Sequence, residues 1–314
     1  MESDEFAFIT LKPETAAQLN AKSSSNINYA FTIDRPYWLE NPNLCSKVEN
    51  LTVIVIVHSA IQHFEHRTVI RETWTNNSYY PHLGNIKVLF LLGKDNDLKH
   101  QLLIDNEFKR HGDILQGDFI DAYKNMTHKN VMGFKWLSER CRNAKIVLKV
   151  DDDVVINMFY FLSQFARSFL MKTKHMSCVR LSKITVKRGG KWAVDRSLFQ
   201  GNYYYYPDYC QGFMVAISID VIPALYKSAS ITPFFWIDDV FAYGMVPANV
   251  PEMQYTNLNI GRDVAWYEHH ALSCYKNISR TEKCSYFVVL VRGKVTQKLR
   301  SFWKLMVEEH NSFK

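Results

Sequence analysis

The chain has 314 residues, 47% of them apolar, with 38 Lys and Arg against 31 Asp and Glu, a formal charge of +7. That length suits one large α/β domain or two small ones, and no low-complexity tract or repeat of solenoid or propeller period is present. The basic residues are scattered. Their densest groups, Lys183-Lys187-Arg188-Lys191 and Arg292-Lys294-Lys298-Arg300, lack zinc-finger spacing, an RNA-binding signature or a basic heptad, which argues against nucleic acid and for a nucleoside diphosphate anion.

In chain order, residues 1–45 are polar and rich in Ser, Asn and Pro, and read as a stem or linker. LTVIVIVHS is a continuous apolar run, the pattern of a buried parallel strand. HRTVIRETWTNN reads as a helix with Arg67 and Arg71 on one face. IKVLFLLGK is a second buried strand and LKHQLLIDNEFKRHGD a helix. DILQGDF is assigned no element. MTHKNVMGFKWLSERC is helical, and KIVLKV is a further buried strand running straight into Asp151-Asp152-Asp153. Strand–helix alternation predicts a mostly parallel sheet flanked by helices, with ligands beyond the carboxyl ends of its strands. The second half is less regular. It holds a Gly189-Gly190 turn, a short strand FMVAIS after Cys210-Gln211-Gly212, an apolar segment FFWIDDVFAYGMV and an amphipathic tail helix VTQKLRSFWKLMVEEHN.

Chemistry concentrates in two acidic runs. Three adjacent carboxylates repel one another and are costly beside an apolar strand unless a cation neutralises them. Mg²⁺ or Mn²⁺, liganded by oxygens and bridging to phosphates, is the natural partner. In strand geometry Asp151 and Asp153 point one way and Asp152 the other, one side for metal and the other for ribose hydroxyls or a lysine. An isolated Asp triplet is ordinarily a solvated turn; directly after a buried strand the metal reading prevails. The second run, Asp238-Asp239, lies in an otherwise apolar segment. A carboxylate there suits a general base, and also a helix N-cap, and the two readings are compatible.

Other residues read both ways. Arg67 and Arg71 suit a pyrophosphate clamp, although taken alone such a pair more often makes surface salt bridges. Trp236 suits sugar stacking or core packing; for the 17 Tyr, 20 Phe and 7 Trp as a whole, composition alone favours an aromatic-rich core. The Tyr203–Tyr206 run divides between core and loop, and His269-His270 is an unspecific metal pair.

Six cysteines and four Asn-x-Ser/Thr sequons, at Asn50, Asn76, Asn125 and Asn277, point to the secretory pathway. No Cys-x-x-Cys pair is present, and six cysteines permit 15 pairings. Cys274 and Cys284 enclose the polar loop YKNISRTEK, and a disulfide between them is expected. No signal peptide or membrane span is visible, so the chain is either cytosolic or lacks its anchor.

Five blocks in this order carry a resemblance: HRTVIRETW, GDFIDAYKNMTHKNVMGFKWLSERC, LKVDDDVVIN, KWAVDRSLFQGNYYYYPDYCQGFMVAIS and WIDDV. Together they resemble the inverting β1,3-glycosyltransferases of the secretory pathway, a family that includes β1,3-galactosyltransferases, β1,3-N-acetylglucosaminyltransferases and, more remotely, Fringe. The resemblance spans roughly residues 50–305. It implies a GT-A-type, Rossmann-like fold over residues 46–314, with an acceptor-binding second half. It implies transfer of a hexose (galactose or N-acetylhexosamine) from a UDP-sugar to an acceptor glycan on glycoprotein or glycolipid, with inversion. Mn²⁺ or Mg²⁺ and a Golgi membrane anchor, with the catalytic part luminal, come with it.

Carried onto this chain, Asp153 with Asp151 would hold the metal. Arg67, Arg71, Asp151, Asp152, Gly212 and Trp236 would line the donor, and Asp239, with Asp238 beside it, would be the base. The sequence departs from the family where Phe213 and Met214 follow Gly212, where Tyr243 stands before Gly244, and where Arg292 takes the place of a histidine after a late strand. The competing readings are a catalytically weak or inactive relative that binds glycan or nucleotide, and a cytosolic nucleotide-binding protein.

Overall fold

The computed structural model describes residues 34–205, 207–277 and 282–313. Most of the expected stem, Tyr206, and Ile278 and Ser279 of the fourth sequon lie outside them. The first half follows the expected alternation. Strands β1 (Tyr37–Leu39) and β2 (Leu51–His58) precede helix α1 (Phe64–Glu72). Then come β3 (Asn85–Lys94), α2 (Leu98–His111), β4 (Ile114–Ile120), α3 (Met126–Arg140) and β5 (Ile146–Asp151). Next are β6 (Val154–Ile156), helix α4 (residues 158–169), β7 (His175–Leu181), β8 (Tyr209–Ser218) and α5 (Ile222–Ala229). Helix α6 (residues 238–248), β9 (Gln254–Asn257), β10 (Val264–Ala265), α7 (Glu268–Lys276), β11 (Val288–Leu290) and α8 (Val295–Ser312) complete the chain.

The main sheet has eight strands in the order β1-β4-β3-β2-β5-β8-β7-β9. Its centre, β4-β3-β2-β5, is parallel. Alternation along β2 explains why it must be apolar on both faces. Val53, Val55 and Val57 enter one core layer with α1 and α8, while Ile54 and Ile56 enter the other with α3 and α5. Strand β8 then runs antiparallel to β5, pairing Met214 with Val150. This reversal sets the start of β8, with Gly212, beside the carboxyl end of β5. A second sheet, β10-β11-β6, covers the same end, and Val291 N donates to Asp153 O at 3.0 Å.

Three elements depart from the sequence reading. DILQGDF contains a full strand, β4, whose apolar run is interrupted by Gln116, Gly117 and Asp118. Gly117 is required there, since a Cβ would lie 2.7 Å from Met132 Sδ of α3. Strand β8 starts at Tyr209, four residues earlier than FMVAIS suggested. Tyr37–Leu39, inside the stretch read as a stem, pairs with β4 as an edge strand.

All six cysteines are bonded, as Cys45–Cys141, Cys178–Cys210 and Cys274–Cys284, with Cα–Cα distances of 5.2, 5.7 and 5.8 Å. The first ties the N-terminal segment to the end of α3, and the last closes the loop after α7. Among the described residues no helix is long and apolar enough to cross a membrane.

Candidate active site

The acidic run sits where the topology places ligands, at the end of β5. A cleft of about 520 Å³ opens there, lined by Ser59–His63 after β2, Asp95 after β3, Asp121–Tyr123 after β4, Lys129, Asp151–Asp153 and Lys191. The three aspartates do different things. Asp152 is turned inward and buried. Ser59 Oγ and His63 Nδ1 donate to its Oδ2 at 2.6 and 2.8 Å, and His66 Nδ1 lies 3.4 Å from Oδ1. Burial opposes its charge, but these three partners outweigh burial and hold the carboxyl well below the usual range. Asp151 is half-exposed and accepts from Lys149 Nζ at 2.6 Å. Asp153 is exposed along the cleft, and among the described residues it has no ion-pair partner of its own. Desolvation first, and then the charges of Asp151 and Asp152, raise its carboxyl to about 6.

Lys149 is the hub of the site. It is fully buried in β5, and Nζ donates both to Asp151 and to Gly212 O. Burial opposes its charge, yet Asp151, Asp238 and Asp239 overcome it and hold Lys149 above its ordinary value. Asp238 and Asp239 open helix α6. Desolvation raises Asp239 to about 8, with the charge of Asp238 adding to it, while Lys149 and the Gly212 N–H pull the other way. Desolvation likewise raises Asp238, and Lys149 opposes it. Gly212 has to be glycine, because a Cβ at that position would lie 2.0 Å from Asp239 Oδ1. Asp238 accepts from Asn130 Nδ2 at 3.2 Å, and Asn130 Oδ1 accepts a short hydrogen bond from Tyr243 OH. Tyr243, a departure from the family pattern, thus fixes the amide that fixes Asp238.

With Asp239 raised to about 8 and so protonated at neutral pH, Lys149 is one positive charge against the carboxylates of Asp151, Asp153 and Asp238. A divalent cation matches the remaining deficit, and the oxygen donors at Asp151 and Asp153 fit a hard ion that also takes phosphate oxygens. Residues of this chain thus fit a divalent metal.

Arg67 and Arg71 require a correction, since they are not a pyrophosphate clamp. Arg67 is 0% exposed, so its guanidinium meets protein. Nε and NH2 donate to Glu107 of α2 at 2.7–3.1 Å, NH1 to Ala60 O at 2.7 Å and NH2 to Ile61 O at 3.1 Å. Arg71 forks onto Asp113 and also reaches Glu107. The pair therefore shapes the Ser59–Ile61 wall of the cleft from behind. Gly212, expected to line the donor, makes room for Asp239.

Trp236 stands half-buried, edge-on to Tyr123 at 6.5 Å between ring centroids. Tyr123 accepts from Trp192 Nε1 at 2.6 Å, so three aromatic rings form a rim beside the cleft. Arg292 turns its guanidinium to Trp266 O at 3.0 Å and over the Trp266 ring. His269 and His270 lie on α7 against Tyr267. Of the sequon asparagines, Asn50 and Asn277 are exposed and Asn76 is half-buried. Asn125 donates through Nδ2 to Ile120 O at 2.8 Å.

Sequence reasoning missed Lys149 as the hub, Asn130, and Lys129, which is buried and bonded to Asp121 and Ser59 O at 2.8 and 2.7 Å. One signal was available. Helix α3 carries Thr127, Lys129 and Asn130 among buried positions, where polar residues need a partner.

The galactosyltransferase family model matches residues 65–259. Beta-1,3-galactosyltransferase 1 of Homo sapiens is 32% identical over 213 residues, covering 65% of this chain and 62% of that protein. Beta-1,3-galactosyltransferase 5 of Homo sapiens is 30% identical over 190 residues, covering 60% of each chain. The chain thus spans about three-fifths of the length of these curated relatives. Among solved structures, mouse xyloside xylosyltransferase 1 in its apo form aligns with a TM-score of 0.37 and 8% identity, over 79% of this chain and 99% of that one.

Proposed function

This chain belongs to the galactosyltransferase family, and on that premise we propose that it transfers galactose from UDP-galactose to an acceptor glycan, forming a β1,3 linkage with inversion. The observation that supports this reading most is the meeting of two acidic runs around one buried lysine, Lys149, behind a cleft of nucleotide size that Asp151–Asp153 line. In this reading Asp239 accepts the proton of the acceptor's 3-hydroxyl. The hydroxyl oxygen attacks the anomeric carbon as the bond to UDP breaks, so the configuration inverts. The Gly212 N–H aims Asp239, and Asn130 with Tyr243 holds Asp238. Asp151 and Asp153 would hold Mn²⁺ or Mg²⁺, which when bound would supply positive charge to offset that of the departing diphosphate. The rim of Tyr123, Trp192 and Trp236 offers faces on which sugar rings stack. A Golgi membrane location, luminal side, with an anchor outside this sequence and a glycoprotein or glycolipid acceptor, completes the proposal, as does a catalytic domain over residues 46–314.

A second reading, a relative that binds without turnover, draws on Arg292, which has no lone pair to offer a cation. The intact Lys149–Asp239 arrangement favours the enzyme. Calorimetry of UDP with and without Mn²⁺ tests the metal assignment. We expect tighter UDP binding with Mn²⁺, and loss of that gain in Asp153→Ala. Equal UDP affinity in Mn²⁺ and in EDTA would remove the ion from the account.

A further inference from the structure

Behind the acidic run, the first turn of α1 carries two histidines whose arrangement serves no step above. His63 and His66 stack with ring centroids 4.3 Å apart, and both turn Nδ1 toward the carboxylate of Asp152. The three donor atoms all lie within 4.8 Å of one another. His63 Nδ1 makes a 2.8 Å hydrogen bond to Oδ2. His66 Nδ1 is buried without any hydrogen-bond partner, and its 3.4 Å approach to Oδ1 is too long for a good one. That spacing suits another purpose. Two donors at about 2.0–2.1 Å from one tetrahedral ion stand roughly 3.3–3.4 Å apart.

We propose that His63, His66 and Asp152 form a second cation site, selective for borderline-soft divalent ions of the zinc type and distinct from the oxygen-only site at Asp151 and Asp153. Two imidazoles and a carboxylate suit Zn²⁺, Co²⁺ or Ni²⁺ better than Mg²⁺. The carboxylate is already secured from behind, since Ser59 Oγ donates to it and itself accepts from Arg67 NH1 at 3.2 Å. Such outer partners hold a ligand in place for the ion. His63 is 43% exposed at its side chain, so the ion can enter and water can complete its shell. The start of a helix disfavours a cation, which tempers affinity, but the adjacent acid run opposes that field. All six cysteines are in disulfides, so no thiol competes. Because His63 and Asp152 both line the donor cleft, an ion held there stands inside it. The consequence, which alone rests on the transferase reading, is that zinc weakens donor binding by occupying Asp152 and crowding the pocket.

The test uses the untagged chain, stripped with a chelator, and Co²⁺ as a visible probe without UDP. We expect one Co²⁺ per chain with the intense visible bands of a tetrahedral site, displaced by Zn²⁺. His63→Ala/His66→Ala should weaken Zn²⁺ binding by more than the roughly 10–100-fold that loss of an outer partner costs, while Asp153→Asn should leave it unchanged. Should the double variant unfold, zinc must raise the melting temperature of the wild type and not that of His66→Asn. Co²⁺ binding that survives loss of both histidines, binding lost only in Asp153→Asn, or no Zn²⁺ or Co²⁺ binding at all would each overturn the proposal, whatever the outcome for transfer.

Discussion

Asp239→Asn is expected to reduce transfer by ~10²–10⁴, the usual contribution of a positioned base, while leaving UDP affinity in Mn²⁺ unchanged. Asparagine keeps the shape and can still accept from the Gly212 N–H, so the variant removes proton acceptance and little else. Asp238→Asn should cost less, because Asp238 accepts from Asn130 and is not the group under Gly212. The pH profile adds a sign. Asp239 must be ionised to act, and with its carboxyl raised to about 8 the rate should rise with pH along an acid limb at or below that value. A bound cation or Lys149 can only move the limb down, because positive charge favours the ionised form.

Stability has the opposite slope. The folded state holds the Asp239 proton more tightly than the unfolded state does. The site therefore costs stability as pH rises from the ordinary carboxylate value toward 8, and Asp239→Asn should melt no lower than wild type at pH 8. Gly212→Ala should imitate the loss of transfer by steric means, since its Cβ would displace the Asp239 carboxylate. Normal transfer by Asp239→Asn alongside a dead Asp238→Asn would move the base to the neighbouring residue.

The second large effect lies away from the chemistry. Arg67→Ala should destabilise the fold by roughly 3–5 kcal/mol, the cost of breaking a buried ion pair from one side. Arg67 is fully buried, and the Glu107 side chain is only 9% exposed, so the carboxylate left behind keeps Arg71 alone. Arg67→Lys should recover little, because one ammonium cannot replace a fork that grips Glu107 while donating to Ala60 O and Ile61 O. The loss should reach the cleft as well, since Ser59–Ile61 form its wall and Ser59 holds Asp152. Urea unfolding reads the first effect and UDP calorimetry the second. A variant as stable as wild type would mean that the Arg67–Glu107 pair contributes nothing net, as happens when desolvation cancels attraction.

What was legible in the sequence follows from periodicity and from misplaced charge. β2, β3 and β5 are uninterrupted apolar runs, and Asp151–Asp153 and Asp238–Asp239 stand out because acids at the edge of such runs need compensation. Strand β4 was not legible, because Gly117 and Gln116 break its pattern for reasons supplied by α3 and by Gly93 O. The roles of Arg67 and Arg71 were misjudged for a related reason. Their partner Glu107 lies 40 and 36 residues further on, and nothing local marks the pair as buried. Lys149 hid in plain view in KIVLKV. A lysine alternating with apolar residues reads as a solvent-facing position until the antiparallel return of β8 closes over it. The His63–His66–Asp152 cluster joins a helix start to a strand end 86 residues later, a juxtaposition that only the parallel sheet creates.

The most direct test of the central claim is incubation of the protein and Mn²⁺ with a panel of UDP-sugars and mixed acceptor glycans, with product linkage determined by mass spectrometry and NMR. The account predicts incorporation of galactose from UDP-galactose, joined through a β bond to the 3-position of the acceptor's terminal sugar, and reduced by ~10²–10⁴ in Asp239→Asn. Turnover of no UDP-sugar by a protein that still binds UDP with Mn²⁺ would contradict it.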